Sequence, residues 1–185
     1  APTTNDHVWG FWSDPILADA QQLARATWQK WAIITHNDCA VLSSETRPYN
    51  AFKRSDWNEH CKGLAELSKV TIIAEHEWEK SADSLLFDTR PPVVPNDCML
   101  QHFQGIEVKT KQPCFNKDMA ILMDFRVAQS KGMHFIYLLP YSTTEALVES
   151  TLFSTELVDE EFYSSSIESY LKDHCKVEEL SLIHI

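Results

Sequence analysis

Glycine is scarce in this 185-residue sequence: there are four, at positions 10, 63, 105 and 132, where an average composition of ~7% would supply about thirteen. No two lie close enough to form a GxGxxG or GxxxxGK turn, so the chain carries no nucleotide-phosphate cradle of its own. Basic runs are absent too, and the net charge is −11. An acidic surface repels phosphate backbones and anionic headgroups, which argues against nucleic acid as a direct electrostatic partner. The five cysteines are odd in number and lack CxxC spacing, a pattern that fits reduced thiols in a reducing compartment. The same lack of spacing argues against zinc, as does the absence of an HxxxH pair; Cys98 with His102 is an isolated couple best read as packing. No charged segment leads into an apolar stretch and no apolar run is long, so these residues hold neither a signal peptide nor a spanning helix.

Hydrophobic content of 44% and charged content of 23% are those of a folded protein. "NDHVWGFWSDP" places Trp9, Phe11 and Trp12 around Gly10, and such rings need a surface to pack on. Trp28 to His36 and Cys39 to Ser43 read as a hairpin turning at Asn37-Asp38. Ser55 to Lys69 reads as a helix capped by Ser55, with Trp57, Cys61, Leu64 and Leu67 as a buried stripe. Val70 to Ala74 and Ser84 to Asp88 are expected as short, fully buried strands, followed by a stiff connector at Pro91, Pro92 and Pro95.

Beyond the prolines the pattern turns strongly β, over Cys98 to Lys111, Met119 to Val127, Met133 to Leu139 and Glu145 to Phe153. Turns at Lys131-Gly132 and Pro140 to Thr143 predict hairpin-linked, antiparallel strands. Asp159 then caps a helix whose apolar face is Phe162, Tyr163, Ile167, Tyr170 and Leu171. Short buried strands, helices and an antiparallel sheet together indicate an α/β or α+β fold.

Three places could carry chemistry. Glu149 stands in the uncharged run "ALVESTLF"; a carboxyl in apolar surroundings resists ionisation and so suits a general acid. Strand alternation offers a second reading. It puts Glu145, Glu149 and Thr151 on one face and Ala146, Val148 and Leu152 on the other, as in a strand with one wet side. The rarity of buried glutamate favours the wet face. Asp124 with Arg126, two residues on and on the same face, fits a structural ion pair or a ligand contact. Asp88-Thr89-Arg90 closes an apolar run where a loop could meet a ligand.

"MDFRV", "HFIYLLPYS" and "TEALVESTLFS", in that order and spacing, resemble the lycopene cyclase family, with its MD-containing strand and acidic (F/I)-L/I-E-E/D-T hairpin. "NDHVWGFW" is similar to the family's D-x-x-W-x-F-W segment, "LLFDTRPP" to a strand ending D-x-R-G beside the flavin, and "LQHFQGIEV" to Q-H-F-x-G-x-x-V. The resemblance spans about Asn5 to Ser154. Two positions depart from it: Ser150 stands where the family has a second acid, and Pro91 where it has a glycine that lets backbone approach the flavin.

The resemblance implies an FAD/NAD(P)-type fold without its N-terminal Rossmann βαβ unit and with a mostly antiparallel substrate-side sheet. On that basis residues 1–179 are the central part of the enzyme. Flavin-lobe pieces fall near 55–90, the substrate sheet near 28–44 and 98–155, and a helix near 159–173. Glu149 becomes the acid that protonates a ψ-end of lycopene or γ-carotene. Asp124, Arg126, Phe135 and Tyr137 lie on the substrate or flavin side, and Asp88 and Thr89 are cofactor contacts. Reduced FAD, kept reduced by NAD(P)H, serves as a non-redox partner; no metal takes part. The Gly-rich ADP-binding turn is expected upstream of this chain, so these residues alone are not expected to hold FAD. A cytoplasmic enzyme bound peripherally to a membrane surface is implied by the apolar substrate. The rival readings are a polyprenyl reductase or aromatic hydroxylase of the same fold, and a non-enzymatic carotenoid- or lipid-binding module. Finally, "LSLIHI" at 180–185 matches the translation of a sequencing-library adapter and is expected to be non-native; a short apolar strand is the alternative.

Overall fold

The computed structural model describes residues 6–73, 85–87, 95, 98–177 and 180–183. Its element order is β1 (Val8–Trp12), α1 (Ala18–Gln22), β2 (Ala26–Trp28), β3 (Lys30–Ile34), β4 (Cys39–Ser43), β5 (Tyr49–Lys53) and α2 (Arg54–Leu67). These are followed by β6 (Leu100–Thr110), β7 (Ala120–Asp124), β8 (Met133–Pro140), β9 (Glu145–Ser154), α3 (Glu160–Cys175) and β10 (Leu180–Ile183).

The strands form two sheets. The larger has seven strands in the order β10-β6-β9-β8-β7-β3-β4, and the smaller has three in the order β1-β5-β2. In the large sheet the β7–β8 and β8–β9 pairs are antiparallel, as the turn signals predict, and the β6–β9 pair is antiparallel as well. Two pairings differ from a simple hairpin succession. β6 leaves its sequence neighbour β7 and pairs with β9, and β3 pairs with β7 in parallel. Turn residues specify only strands that follow one another; the β3–β7 pairing joins residues about half the chain apart and leaves no local mark. Gly132, in the turn between β7 and β8, has φ +144°, and a side chain there would collide with the Phe153 carbonyl.

Both faces of the large sheet are covered. On one, α3 lays Ile167, Tyr170 and Leu171 over Val108, Ile136, Leu138, Ala146 and Val148. On the other, Trp28, Tyr49 and Ala51 of the small sheet pack against Ala120, Leu122, Leu139 and Leu147. The indole N–H of Trp28 donates to the Pro140 carbonyl at 3.1 Å, and Arg25 pairs with Glu107 while lying 3.8 Å over the Tyr141 ring. The small sheet is thus bolted to the large one by apolar packing, a buried hydrogen bond and a shielded ion pair. A wet face for β9, which alternation favours, is therefore not what forms: the layer that covers it comes from residues a hundred positions away.

Other local expectations are corrected. The helix over 55–69 exists as α2, but Lys53 is its cap residue, and the N–H of Ser55 finds its acceptor in Asp6 (3.0 Å). No residue of α2 is buried, and Leu64 and Leu67 stand 43% and 83% exposed. Residues 70–73 and 85–87 are exposed and not in strands. A short apolar run becomes a buried strand only beside open backbone partners, and none lies alongside them among the described residues. Asp88, Thr89 and the connector prolines 91 and 92 fall outside the described residues. Residues 180–183 form an antiparallel edge strand on β6, with Leu180 opposite Thr110 and Ile183 opposite Glu107.

Candidate active site

Between the two sheets lies an open cleft of about 770 Å³. Six aromatic rings stand on its walls: Trp9 and Trp12 from β1, Tyr49 from β5, Phe103 from β6, Phe135 and Tyr137 from β8. The rings are set edge to face, Trp12 against Tyr49 at 4.6 Å and Tyr49 against Tyr137 at 6.3 Å between centroids. That geometry is the favoured one for aromatic pairs, and it leaves ring faces and edges for an apolar ligand.

Glu149 enters this cleft from β9. It sits in a row of directly opposed residues, with Gly105 beside it on β6 and Tyr137 on β8. Thr151, two residues along on the same face, donates its hydroxyl to Oε1 at 2.9 Å. Oε2 lies toward Gly105 and has no hydrogen-bond partner among the described residues. Removal from water outweighs the Thr151 bond and pushes the Glu149 carboxyl up to about 7. The group can therefore hold and release a proton near neutral pH.

The other charges on the cleft are sparse. Asp6 is engaged by Ser55, whose hydroxyl lies 2.6 Å from Oδ2, and its pKa is lowered: burial acts upward, but the Ser55 bonds prevail. Glu160 is exposed at the rim, and His7 is the sole basic side chain on the described walls, which include no lysine or arginine.

Of the residues singled out in the sequence, Glu149, Phe135 and Tyr137 meet in the cleft. Asp124 and Arg126 do not line it. Asp124 is wholly buried, bound twice by the Arg126 guanidinium (2.9 and 2.6 Å), by the Arg126 amide (3.1 Å) and by the Tyr170 hydroxyl (2.7 Å). Burial acts to raise its pKa, but these donors outweigh it and the net shift is downward. The pair fastens α3 to β7. Ser150 also faces α3's side: fully buried, its hydroxyl donates to Nε2 of buried His134 (2.8 Å), whose Nδ1 donates to the Ala128 carbonyl (2.9 Å). Burial depresses the His134 pKa despite that carbonyl, and the ring is the neutral Nδ1–H tautomer.

Sequence reasoning missed Tyr49 and drew no role for Gly10 or Gly105 beside the site. The run "YNAFK" reads ambiguously at five residues, whereas the lone glycine inside the β6 pattern is a signal of close approach. Among the described residues no cluster of three or more His, Cys, Asp or Glu is placed to hold a metal. All five cysteines are free.

The whole chain overlays a solved geranylgeranyl bacteriochlorophyll reductase-like protein from Thermoplasma acidophilum, with a TM-score of 0.60 and 11% identity. It covers 100% of this chain and 55% of that one, which defines the fold as that of a mixed α/β protein of this kind. The family described as lycopene cyclase protein matches residues 1–184, and the chain belongs to it. A lycopene beta-cyclase from Paracoccus sp. (strain N81106 / MBIC 01143) is 43% identical over 54 residues, which make up 29% of this chain and 14% of the relative.

Proposed function

We propose that this chain forms the substrate side of a carotenoid cyclase in which Glu149 is the proton donor. The observation that carries the reading is a shielded carboxyl, titrating near neutrality, set in an aromatic cleft with no described lysine or arginine on its walls. The Glu149 proton adds to the terminal double bond of a ψ-end, whose π electrons form the new C–H bond and leave a carbocation. An internal double bond attacks it, closing the six-membered ring and moving the cation into the ring. A ring C–H then returns its proton to the carboxylate, and its electron pair forms the ring double bond. One proton enters and one leaves, so the product is an isomer. Ring faces and the carboxylate stabilise the cationic stages, and the closed packing behind Glu149 keeps water from quenching them.

The cleft suits a neutral polyene end better than a diphosphate, which would call for arginine or lysine. Its rim fits delivery from a lipid surface: Trp9 and Trp12 are 44% and 43% exposed and Ile16 is 87% exposed nearby. Among the described residues no helix is long and apolar enough to cross a membrane. The described residues do not fit the dinucleotide part of a flavin, since none of the cleft walls offers a Gly-rich turn or a cation for a pyrophosphate. In this reading FAD and NAD(P)H would be held by other residues.

The test is Glu149→Gln in the full protein that contains this chain, expressed in a lycopene-accumulating bacterium. Ring formation should fall at least ~100-fold, the usual weight of a general acid. Retained cyclisation would refute the assignment, and retained flavin turnover without any cyclic product in the unmutated protein would favour a reductase or hydroxylase.

A further inference from the structure

The surroundings of Glu149 are unequal on its two sides. Toward β6 there is Gly105, where a Cβ would stand in ordinary contact with Oε2 at 3.5 Å and more tightly against Leu147 Cδ1 at 3.3 Å, so the carboxyl lies alongside the bare β6 backbone. Toward β8 there is Tyr137, whose hydroxyl is hydrogen-bonded to that of Tyr49 from the small sheet. Two hydroxyls carry two protons, and the bond between them uses one. Neither hydroxyl has another hydrogen-bond partner among the described residues, so one O–H donor is left over where Tyr49 is buried and Tyr137 partly so. A donor left without an acceptor in such a place is costly. Gly10 closes the couple from behind: a side chain there would collide with both hydroxyl oxygens, so β1 backbone packs directly on the pair. The acceptor opposed to Tyr137 across the ladder is Glu149.

We propose that the Tyr49–Tyr137 couple is the positioning pair for Glu149, supplying its spare O–H to the carboxylate once the proton has left. The inference rests on Glu149 being the acid of the cleft. It gives the carboxyl two seats: protonated and turned over Gly105 toward the ligand, or ionised and turned toward Tyr137. The second seat explains how a carboxylate produced in an apolar cleft is held until a ring proton returns. Tyr49 acts through Tyr137, orienting its hydroxyl by donating to it. The groups facing Glu149 are Gly105 on β6, Tyr137 on β8, Tyr49 on β5 and Thr151 on β9, with Asp6, His7 and Glu160 at the rim.

Infrared titration of the protonated-carboxyl band, assigned to Glu149 by its loss in Glu149→Gln, reads the proposal directly. Tyr137→Phe removes the donor to the ionised form and should raise the Glu149 midpoint by about one pH unit. Tyr49→Phe should raise it by less, and serves alone if Tyr137→Phe does not fold. A purely structural role for the hydroxyls would lower thermal stability without moving the midpoint. A midpoint unmoved or lowered overturns the proposal. If the midpoints move as stated while Glu149→Gln still forms rings, the positioning role stands and the cyclase reading falls. If Glu149→Gln abolishes ring formation while the midpoints stay fixed, the cyclase reading stands and the positioning role falls.

Discussion

The shielding of Glu149 makes folding itself depend on pH, with a sign opposite to that of most carboxylates. Its pKa rises from 4.5 to about 7 on folding, a difference of about 2.5. Below the unfolded value both states are protonated and burial of a neutral acid costs little. Between the two values the folded state keeps a proton that the unfolded state has lost, so stability falls as pH rises, and it levels off once the folded group ionises. At ~1.36 kcal/mol per unit the ceiling is about 3 kcal/mol; because the carboxyl is only partly buried, about 2 kcal/mol is the working figure. Glu149→Gln removes the charge and keeps the shape, so it abolishes this loss. For a chain of this size each kcal/mol moves the melting temperature by ~2–4 °C. The variant should thus melt with the parent near pH 4.5 and about 5 °C above it near pH 8. Differential scanning fluorimetry across that range measures the difference curve. Taking the difference also cancels His134, whose depressed pKa works in the opposite direction in both proteins. A difference curve that is flat, or that falls with rising pH, would refute the shielding argument.

Two further perturbations probe the opposite face of the sheet. Asp124→Asn removes the charge that pairs with the Arg126 guanidinium and replaces one of the two acceptor oxygens by an NH2 donor, and should cost about 2–3 kcal/mol in urea denaturation, less than for a fully buried pair because Arg126 is 31% exposed. An unchanged denaturation midpoint would show that α3 is not fastened there. Ser150→Asp places a carboxylate against Nε2 of His134 and should raise the His134 pKa above its present depressed value, seen by NMR, while leaving the Glu149 infrared midpoint in place. A shift of the Glu149 band instead would mean that position 150 communicates with the cleft.

The strands of the second half and α3 were legible because each has a regular apolar period bounded by turn residues. α2 was legible as a helix, yet its apolar stripe gave no indication of what would cover it; in the described structure Trp57 leans on Phe52 at 5.8 Å between ring centroids, while Cys61, Leu64 and Leu67 stay exposed. Strand alternation along β9 separates two sets of side chains correctly. It is silent on whether either set meets water, since Trp28, Tyr49 and Ala51 reach that face from the other end of the chain. The inward position of Glu149 was accordingly legible through family resemblance and not through periodicity. Tyr49 escaped notice because a five-residue strand shows too few alternations to stand out, although Gly10 and Gly105, two of only four glycines, both mark backbone that a neighbour approaches closely.

The departure at Ser150 takes on a different meaning once the sheet is in view. Consecutive residues of a strand point to opposite faces, so two adjacent acids at 149 and 150 could not both enter one cleft. Glu149 projects between the sheets; position 150 projects into the layer under α3, fully buried and in contact with His134. A carboxylate there would require a protonated histidine or another donor to offset its burial. Serine needs neither, because its hydroxyl satisfies the neutral ring and its small volume suits the packing beneath Phe162, whose ring lies 5.1 Å from that of His134. The serine therefore bears on the electrostatics of the helix-side layer, while the cleft face of β9 keeps its carboxyl, its threonine partner and its tyrosine neighbour. The absent second acid bears on how β9 is seated on α3, and the proposed proton donor, Glu149, lies on the other face of the strand.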